Sequence, residues 1–93
     1  MYRLRKYHGD RVQSLTYADE KTEFSVGIIA PGEYAFGAIK KEVTTVTSGE
    51  ISVWIDGTEH WHTYSKDASF EIPEHSNFKY KVNGISSYIC FYM

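Results

Sequence analysis

The run Phe78-Lys-Tyr-Lys-Val82-Asn83-Gly84-Ile-Ser86-Ser-Tyr88-Ile-Cys90-Phe-Tyr92 decides how this 93-residue chain is read. Phe78, Tyr80 and Val82 alternate with Lys79 and Lys81, so one face is apolar and the other charged, which is the period of a half-buried β-strand. Asn83-Gly84 follows, a dipeptide favoured in two-residue hairpins because both central residues there need positive φ. Beyond it Tyr88, Cys90 and Tyr92 share one face, and Ile89, Phe91 and Met93 the other. Both faces are apolar or aromatic, so this segment is expected to be covered twice, by the protein interior and by a second subunit.

The same alternation recurs upstream at 12–17, 23–29, 34–39, 43–47, 51–55, 61–64 and 69–72, giving nine short strands with 78–82 and 86–92. Polar or Gly/Pro breaks separate them: 18–21, Pro31-Gly32, Ser48-Gly49 and Asp56-Gly57. No window carries sustained helical spacing. Short strands with a turn signal about every ten residues predict an all-β barrel or sandwich, here a single domain over residues 1–93. Arg3, Arg5 and Lys6 read as a short solvated arm ahead of the first strand.

Ten Lys and Arg balance twelve Asp and Glu, for a net charge of −2, which lacks the basic footprint of a nucleic-acid binder. A single cysteine rules out an internal disulfide and fits a reducing compartment. The basic start leads into no apolar run, and no stretch has the length to span a bilayer, so a cytoplasmic protein is expected. A chain this short has a modest core, and a sheet face or edge covered by an identical partner adds stability; a homodimer is expected.

Motifs for phosphate loops, dinucleotides and serine nucleophile elbows are missing. Cys90 sits in an apolar strand, the setting of an inert core thiol. His60-Trp61-His62 places two imidazoles on one strand face, short of the three or four ligands zinc requires. Glu59 or His75 would have to complete such a site.

Two stretches are more specific. Gly32-Glu-Tyr-Ala-Phe-Gly-Ala-Ile-Lys-Lys-Glu42, followed after six residues by Gly49, and Asp67-Ala-Ser-Phe-Glu-Ile-Pro73, leading to His75 and Phe78, resemble the two cupin motifs. Glu42, Gly49 and Pro73 match that pattern. Its three metal-binding histidines fall on Phe36, Ala38 and Phe78, which have no ligand atoms to offer. A lone Glu42 cannot hold iron, manganese or zinc, so no metal or other cofactor is expected. Asp67 stands where the second motif begins with Gly.

The likeness narrows further. Ser25-Val-Gly-Ile-Ile-Ala-Pro-Gly-Glu-Tyr-Ala-Phe36, Thr45-Val-Thr-Ser-Gly49, Phe70-Glu-Ile-Pro-Glu-His-Ser-Asn-Phe78 and Ser87-Tyr-Ile-Cys-Phe-Tyr92 resemble the small cupin family of pyrimidine/purine nucleoside phosphorylases, as do Tyr7, Gly9, Val12 and Ser14. The resemblance covers nearly the whole chain. It implies a cupin-like jelly-roll β-barrel that takes nucleosides and inorganic phosphate to free base and ribose 1-phosphate, over purines and pyrimidines alike. Three positions depart from it: Ala38 where a hydroxyl is expected, the loop at Lys40-Lys41, and Phe91 where Arg often stands.

That chemistry sets requirements. Loss of the base leaves positive charge on the sugar while a nucleophile enters from the opposite face. Phosphate is already a nucleophile, so the protein must hold it in line and ease departure of the base. A site tolerant of every base holds it by ring faces rather than by buried hydrogen bonds. Tyr34, Phe36, Phe78, Tyr80 and Tyr88 are the inward-facing rings expected to do so. Glu42, beside aromatics, is the candidate proton donor and acceptor, with a pKa raised by desolvation. His75 is a second catalytic candidate, and Thr44 shares the face of Glu42 with a hydroxyl to offer. Lys79 and Lys81 point outward, so the phosphate site is left unassigned. The same barrel without catalysis, binding a small metabolite, is the other reading; a metal-binding barrel using His60, His62 and His75 is a third.

Overall fold

The computed structural model describes residues 2–93 and contains ten strands, all paired antiparallel. They are β1 (Tyr2–Tyr7), β2 (Val12–Ala18), β3 (Glu23–Ile29), β4 (Gly32–Ala38), β5 (Glu42–Ser48), β6 (Glu50–Ile55), β7 (His62–Ser65), β8 (Ser69–Ile72), β9 (Ser76–Val82) and β10 (Ser86–Tyr92). One sheet runs β1-β2-β3-β10-β5-β8 and the other β4-β9-β6-β7. This is the cupin-like jelly-roll barrel expected from the motifs. The core between the sheets is built from alternate residues of both, with Val12, Ile29, Val46, Ile51 and Ile72 essentially sealed from solvent.

Two expectations are corrected. Residues 2–7 are a strand, not a solvated arm: β1 pairs with β2 from Tyr2↔Tyr17 to Tyr7↔Val12. The alternation there is inverted. Arg3, Arg5 and Tyr7 lie opposite Thr16, Ser14 and Val12, the inner face of β2, while Tyr2 and Leu4 look outward beside Tyr17 and Leu15. Asn83-Gly84, moreover, makes no hairpin. It carries the chain from β9 in one sheet to β10 in the other, and neither residue has positive φ. Left-handed backbone gathers instead at the β1–β2 turn, at His8 (53°), Gly9 (67°) and Asp10 (69°).

The cupin-type positions have local reasons. Gly49 sits at φ 74°, and a Cβ there would strike the Ser86 hydroxyl. That hydroxyl donates toward the Glu50 and Gly84 carbonyls, both 3.0 Å away, and accepts from the Glu50 amide at 3.2 Å. It therefore ties the start of β6 to the crossover before β10. Asp67 adopts the left-handed conformation (φ 72°) that the motif's glycine would take, which Asp tolerates better than most residues.

In β10, Tyr88, Cys90 and Tyr92 point inward and Cys90 is buried, as the alternation predicts. Within the single chain the outer face is not covered: Phe91 is 39% and Met93 71% exposed. Lys79 and Lys81 point outward, with their ammonium groups 5.4 Å and 4.6 Å from the Trp54 and Trp61 ring centroids. No helix among the described residues is long and apolar enough to cross a membrane.

Candidate active site

A cavity of about 510 Å³ opens at one end of the barrel, between the inner faces of β1, β2, β5 and β10 and those of β4 and β9. That is within the usual size range of small-molecule sites. Its apolar wall is a set of touching rings. Phe36 stacks on Phe78 with centroids 5.5 Å apart and planes at 25°, Tyr80 lies 5.1 Å from Phe78, and Tyr88 lies 6.4 Å from Tyr80. Cross-strand register produces this wall, because β4 and β9 pair Phe36↔Phe78 and Tyr34↔Tyr80.

Tyr88 reaches its place because Gly27 is opposite it on β3. A Cβ at Gly27 would collide with the Tyr88 ring, so only glycine lets the phenol lie flat across the strand. Burial raises the pKa of Tyr88, and the Ser14 hydroxyl offsets part of that rise. The pKa of Tyr80 is raised as well, chiefly by burial, and its phenol stays protonated.

Glu42 opens β5 and lines the cavity, half-buried. Desolvation raises its carboxyl pKa, and a 3.5 Å hydrogen bond from the Cys90 thiol only partly opposes this. The thiol itself is pushed up to about 12, first by burial and then by the neighbouring carboxylate, with the Thr44 hydroxyl pulling the other way. Ser25 and Tyr92 exchange a 2.8 Å hydrogen bond on the same inner face.

The other expected site residues separate into two groups. Phe36, Phe78, Tyr80 and Tyr88 join Glu42 in lining the cavity, but Tyr34, Thr44 and His75 do not. Tyr34 is buried, and its hydroxyl donates to the Ala30 and Pro31 carbonyls at 2.7 and 3.0 Å, clamping the β3–β4 turn. The hydroxyl proton is thus spent within the turn, while the ring lies 5.2 Å from that of His8. Thr44 is fully buried beside Tyr80 and Cys90, without a hydrogen bond of good geometry. His75 stands exposed in the β8–β9 turn, at φ 59°, with Glu74 as its 3.7 Å neighbour. These three side chains therefore stand apart from the cavity lining that the other expected site residues share.

The cavity lining also includes Arg5, Tyr7, His8, Ser14, Thr16 and Tyr92, to which the sequence assigns no site role, and the exposed Lys40 of the β4–β5 turn. His8 Nε2 donates to the Ala35 carbonyl at 3.1 Å, linking the β1–β2 turn to the opposite sheet. Lys40 is held by Glu23 at 2.8 Å. The alternation of Tyr2 and Leu4 with Arg3 and Arg5 was the available signal for β1. It was obscured because the apolar residues face outward and the basic ones inward.

Metal chemistry does not fit this donor set. Phe36, Ala38 and Phe78 occupy the three histidine positions of the cupin pattern, two of them stacked on one another and the third buried. Among the described residues no three His, Cys, Asp or Glu side chains gather where they could hold an ion, so His60, His62 and His75 do not form the centre that a metal-binding reading requires.

Comparison with known proteins agrees with the architecture. A curated pyrimidine/purine nucleoside phosphorylase of Pseudomonas putida is 34% identical over 92 residues, covering 99% of this chain and 98% of the relative. One from Marinobacter nauticus is also 34% identical, with 99% of both chains covered. A Vibrio parahaemolyticus protein solved as one of unknown function superposes with a TM-score of 0.94 at 33% identity, over 100% of this chain and 99% of its own. FeII HppE, only 15% identical, shares the fold with a TM-score of 0.83. The pyrimidine/purine nucleoside phosphorylase family matches residues 3–92. A ring-lined cavity with one desolvated carboxyl, on a chain matched end to end by that family, leads to one assignment: this chain belongs to the pyrimidine/purine nucleoside phosphorylase family.

Proposed function

We propose that this protein is a broad-specificity nucleoside phosphorylase that cleaves purine and pyrimidine nucleosides with inorganic phosphate, without a metal or other cofactor. The observation that carries this reading is Glu42, a carboxyl of raised pKa set against a wall of aromatic rings. Base and ribose enter the cavity, and the base lies against Phe36, Phe78 and Tyr80, whose faces serve every base alike. A protonated Glu42 gives its proton to the departing base as the C–N bond breaks. Phosphate adds to the anomeric carbon from the other side and forms the C–O bond. The proton that phosphate loses passes to solvent, and solvent reprotonates the Glu42 carboxylate, so the enzyme ends as it began and the products are free base and ribose 1-phosphate. General acid–base assistance of this kind contributes roughly 10²–10⁴-fold.

Incubation with inosine, uridine and cytidine, with and without phosphate, tests the proposal by chromatography of the free base. Phosphate-dependent release of all three bases is expected. Binding without turnover would instead mark a metabolite-binding protein.

We further propose that the protein acts in the cytoplasm as a homodimer joined through the outer face of the six-stranded sheet. Two apolar rows cross four strands in register there: Tyr2, Tyr17, Phe24 and Phe91, and Leu4, Leu15, Val26 and Ile89. The rings of Tyr17, Phe24 and Phe91 touch in sequence at 5.5 and 5.6 Å. Phe91 thus extends the apolar row at the position where the resemblance favours Arg. Sheet faces of this kind pack on copies of themselves. Sedimentation should give twice the chain mass, and Phe91→Arg should shift it to the single chain; a wild-type monomer at micromolar concentration would exclude the dimer.

A further inference from the structure

We infer that the phosphate end of the cavity is built on β1, with the Arg5 guanidinium as its anion anchor and the Ser14 and Thr16 hydroxyls beside it. The inference rests on the phosphorylase reading and assigns a partner to the phosphate, which that reading leaves without one.

Two full cations line the cavity, Arg5 and Lys40. Lys40 is already neutralised by Glu23 at 2.8 Å. Lys41 reaches Glu71 at 3.4 Å, Lys79 and Lys81 lie over tryptophans on the outer face, and Arg11 donates to the Pro31 carbonyl at 2.7 Å. Arg5 lines the cavity and, among the described residues, forms no ion pair. A planar guanidinium with five donors matches two phosphate oxygens at once.

Placement supports the same assignment. Arg5 is in register with Ser14, and its neighbour on that face, Arg3, is in register with Thr16. Ser14 is thus directly across the ladder from Arg5 and Thr16 two residues further along it, and both line the cavity with Arg5. β1 and β5 are separated by β2, β3 and β10 in the sheet order. Arg5 and Glu42 nevertheless line the same cavity, from two strands that are far apart in the sheet order. In-line displacement needs that arrangement, with the entering phosphate held on one side of the sugar and the departing base protonated on the other. The His8–Ala35 hydrogen bond holds the end of β1 over the opening, so the anchor is carried on a tethered strand.

The test uses Arg5→Gln and Arg5→Lys in the full chain, with Arg3→Gln as the control. Arg5 is exposed on an edge strand, so the fold should survive, which a thermal melt checks. Arg5→Gln should raise the phosphate KM at least tenfold with little change in nucleoside KM, Arg5→Lys should fall between, and Arg3→Gln should match wild type. Titration of inorganic phosphate alone, followed by phosphorus NMR line width, should show binding to wild type and its loss in Arg5→Gln. An unchanged phosphate KM in an active Arg5→Gln enzyme would overturn the inference and leave the phosphorylase reading standing. Wild type that releases no base would sink the phosphorylase reading instead. The anchor would then be judged by titration alone, and equal binding, or none, in wild type and Arg5→Gln would remove it.

Discussion

The Cys90 thiol donates to Glu42 Oε1 across 3.5 Å, one step diagonally along the β5–β10 ladder, where Cys90 pairs with Thr44 and Tyr92 with Glu42. A thiol is a weak donor. It gives the carboxylate one poor hydrogen bond in place of the water that burial removes, which is why desolvation dominates and the Glu42 pKa rises. A strong donor such as Arg or Lys at the position of Cys90 would favour the carboxylate and pull that pKa down instead.

Glu42→Gln should therefore separate stability from activity. A carboxyl whose folded pKa lies above its unfolded value contributes stability below the unfolded pKa, and that contribution is lost as pH rises through the folded pKa. The amide carries no such penalty. The Tm of Glu42→Gln should equal or exceed that of wild type at pH 7, with the difference shrinking toward pH 4, while turnover falls by roughly 10²-fold or more. Paired melts and assays across that pH range check both halves.

Cys90 should be silent toward thiol reagents. The side chain is buried and its pKa is pushed up to about 12, so neither access nor thiolate is present at neutral pH. Labelling with a maleimide or an aromatic disulfide should occur only in denaturant. Cys90→Ala should leave the reaction within a few-fold of wild type, because the thiol gives Glu42 only one weak hydrogen bond.

Ring faces should matter equally for every base. Phe36→Ala, at a partly buried position of the wall, should raise KM for inosine and uridine alike by roughly tenfold to a hundredfold, the range expected for loss of one stacking face. Phe78→Ala should do the same and also cost about 3–5 kcal/mol of stability, since that ring is buried in the core. A purine-only effect in steady-state kinetics would show that one base class is held differently.

Gly27→Ala should disturb the cavity from outside its lining. The added methyl meets the Tyr88 ring, which must swing out of its place beside Tyr80. Loss of nucleoside affinity is expected with secondary structure intact by circular dichroism, and Tyr88→Phe should not reproduce it, because the clash concerns the ring and not the hydroxyl.

Much of this protein was legible in its sequence. Period-two alternation is a local property, so the inward faces of β4, β5, β9 and β10, and with them Phe36, Glu42, Phe78, Tyr80 and Tyr88, follow from residue order alone. The same is true of the missing metal ligands, since Phe36, Ala38 and Phe78 cannot coordinate in any conformation. Strand partners and the occupants of each hydroxyl are different matters. Whether Asn83-Gly84 closes a hairpin or crosses between sheets depends on which distant strand β10 joins, and it joins β3 and β5, not β9. Tyr34 looked as suitable for a ligand as Tyr80 until the β3–β4 turn brought two carbonyls to its hydroxyl. Arg5 faces the cavity only because β1 pairs with β2 in a register that turns its basic side inward. Local chemistry determined which side chains share a face; long-range pairing, which no short stretch encodes, decided which faces meet and what they enclose.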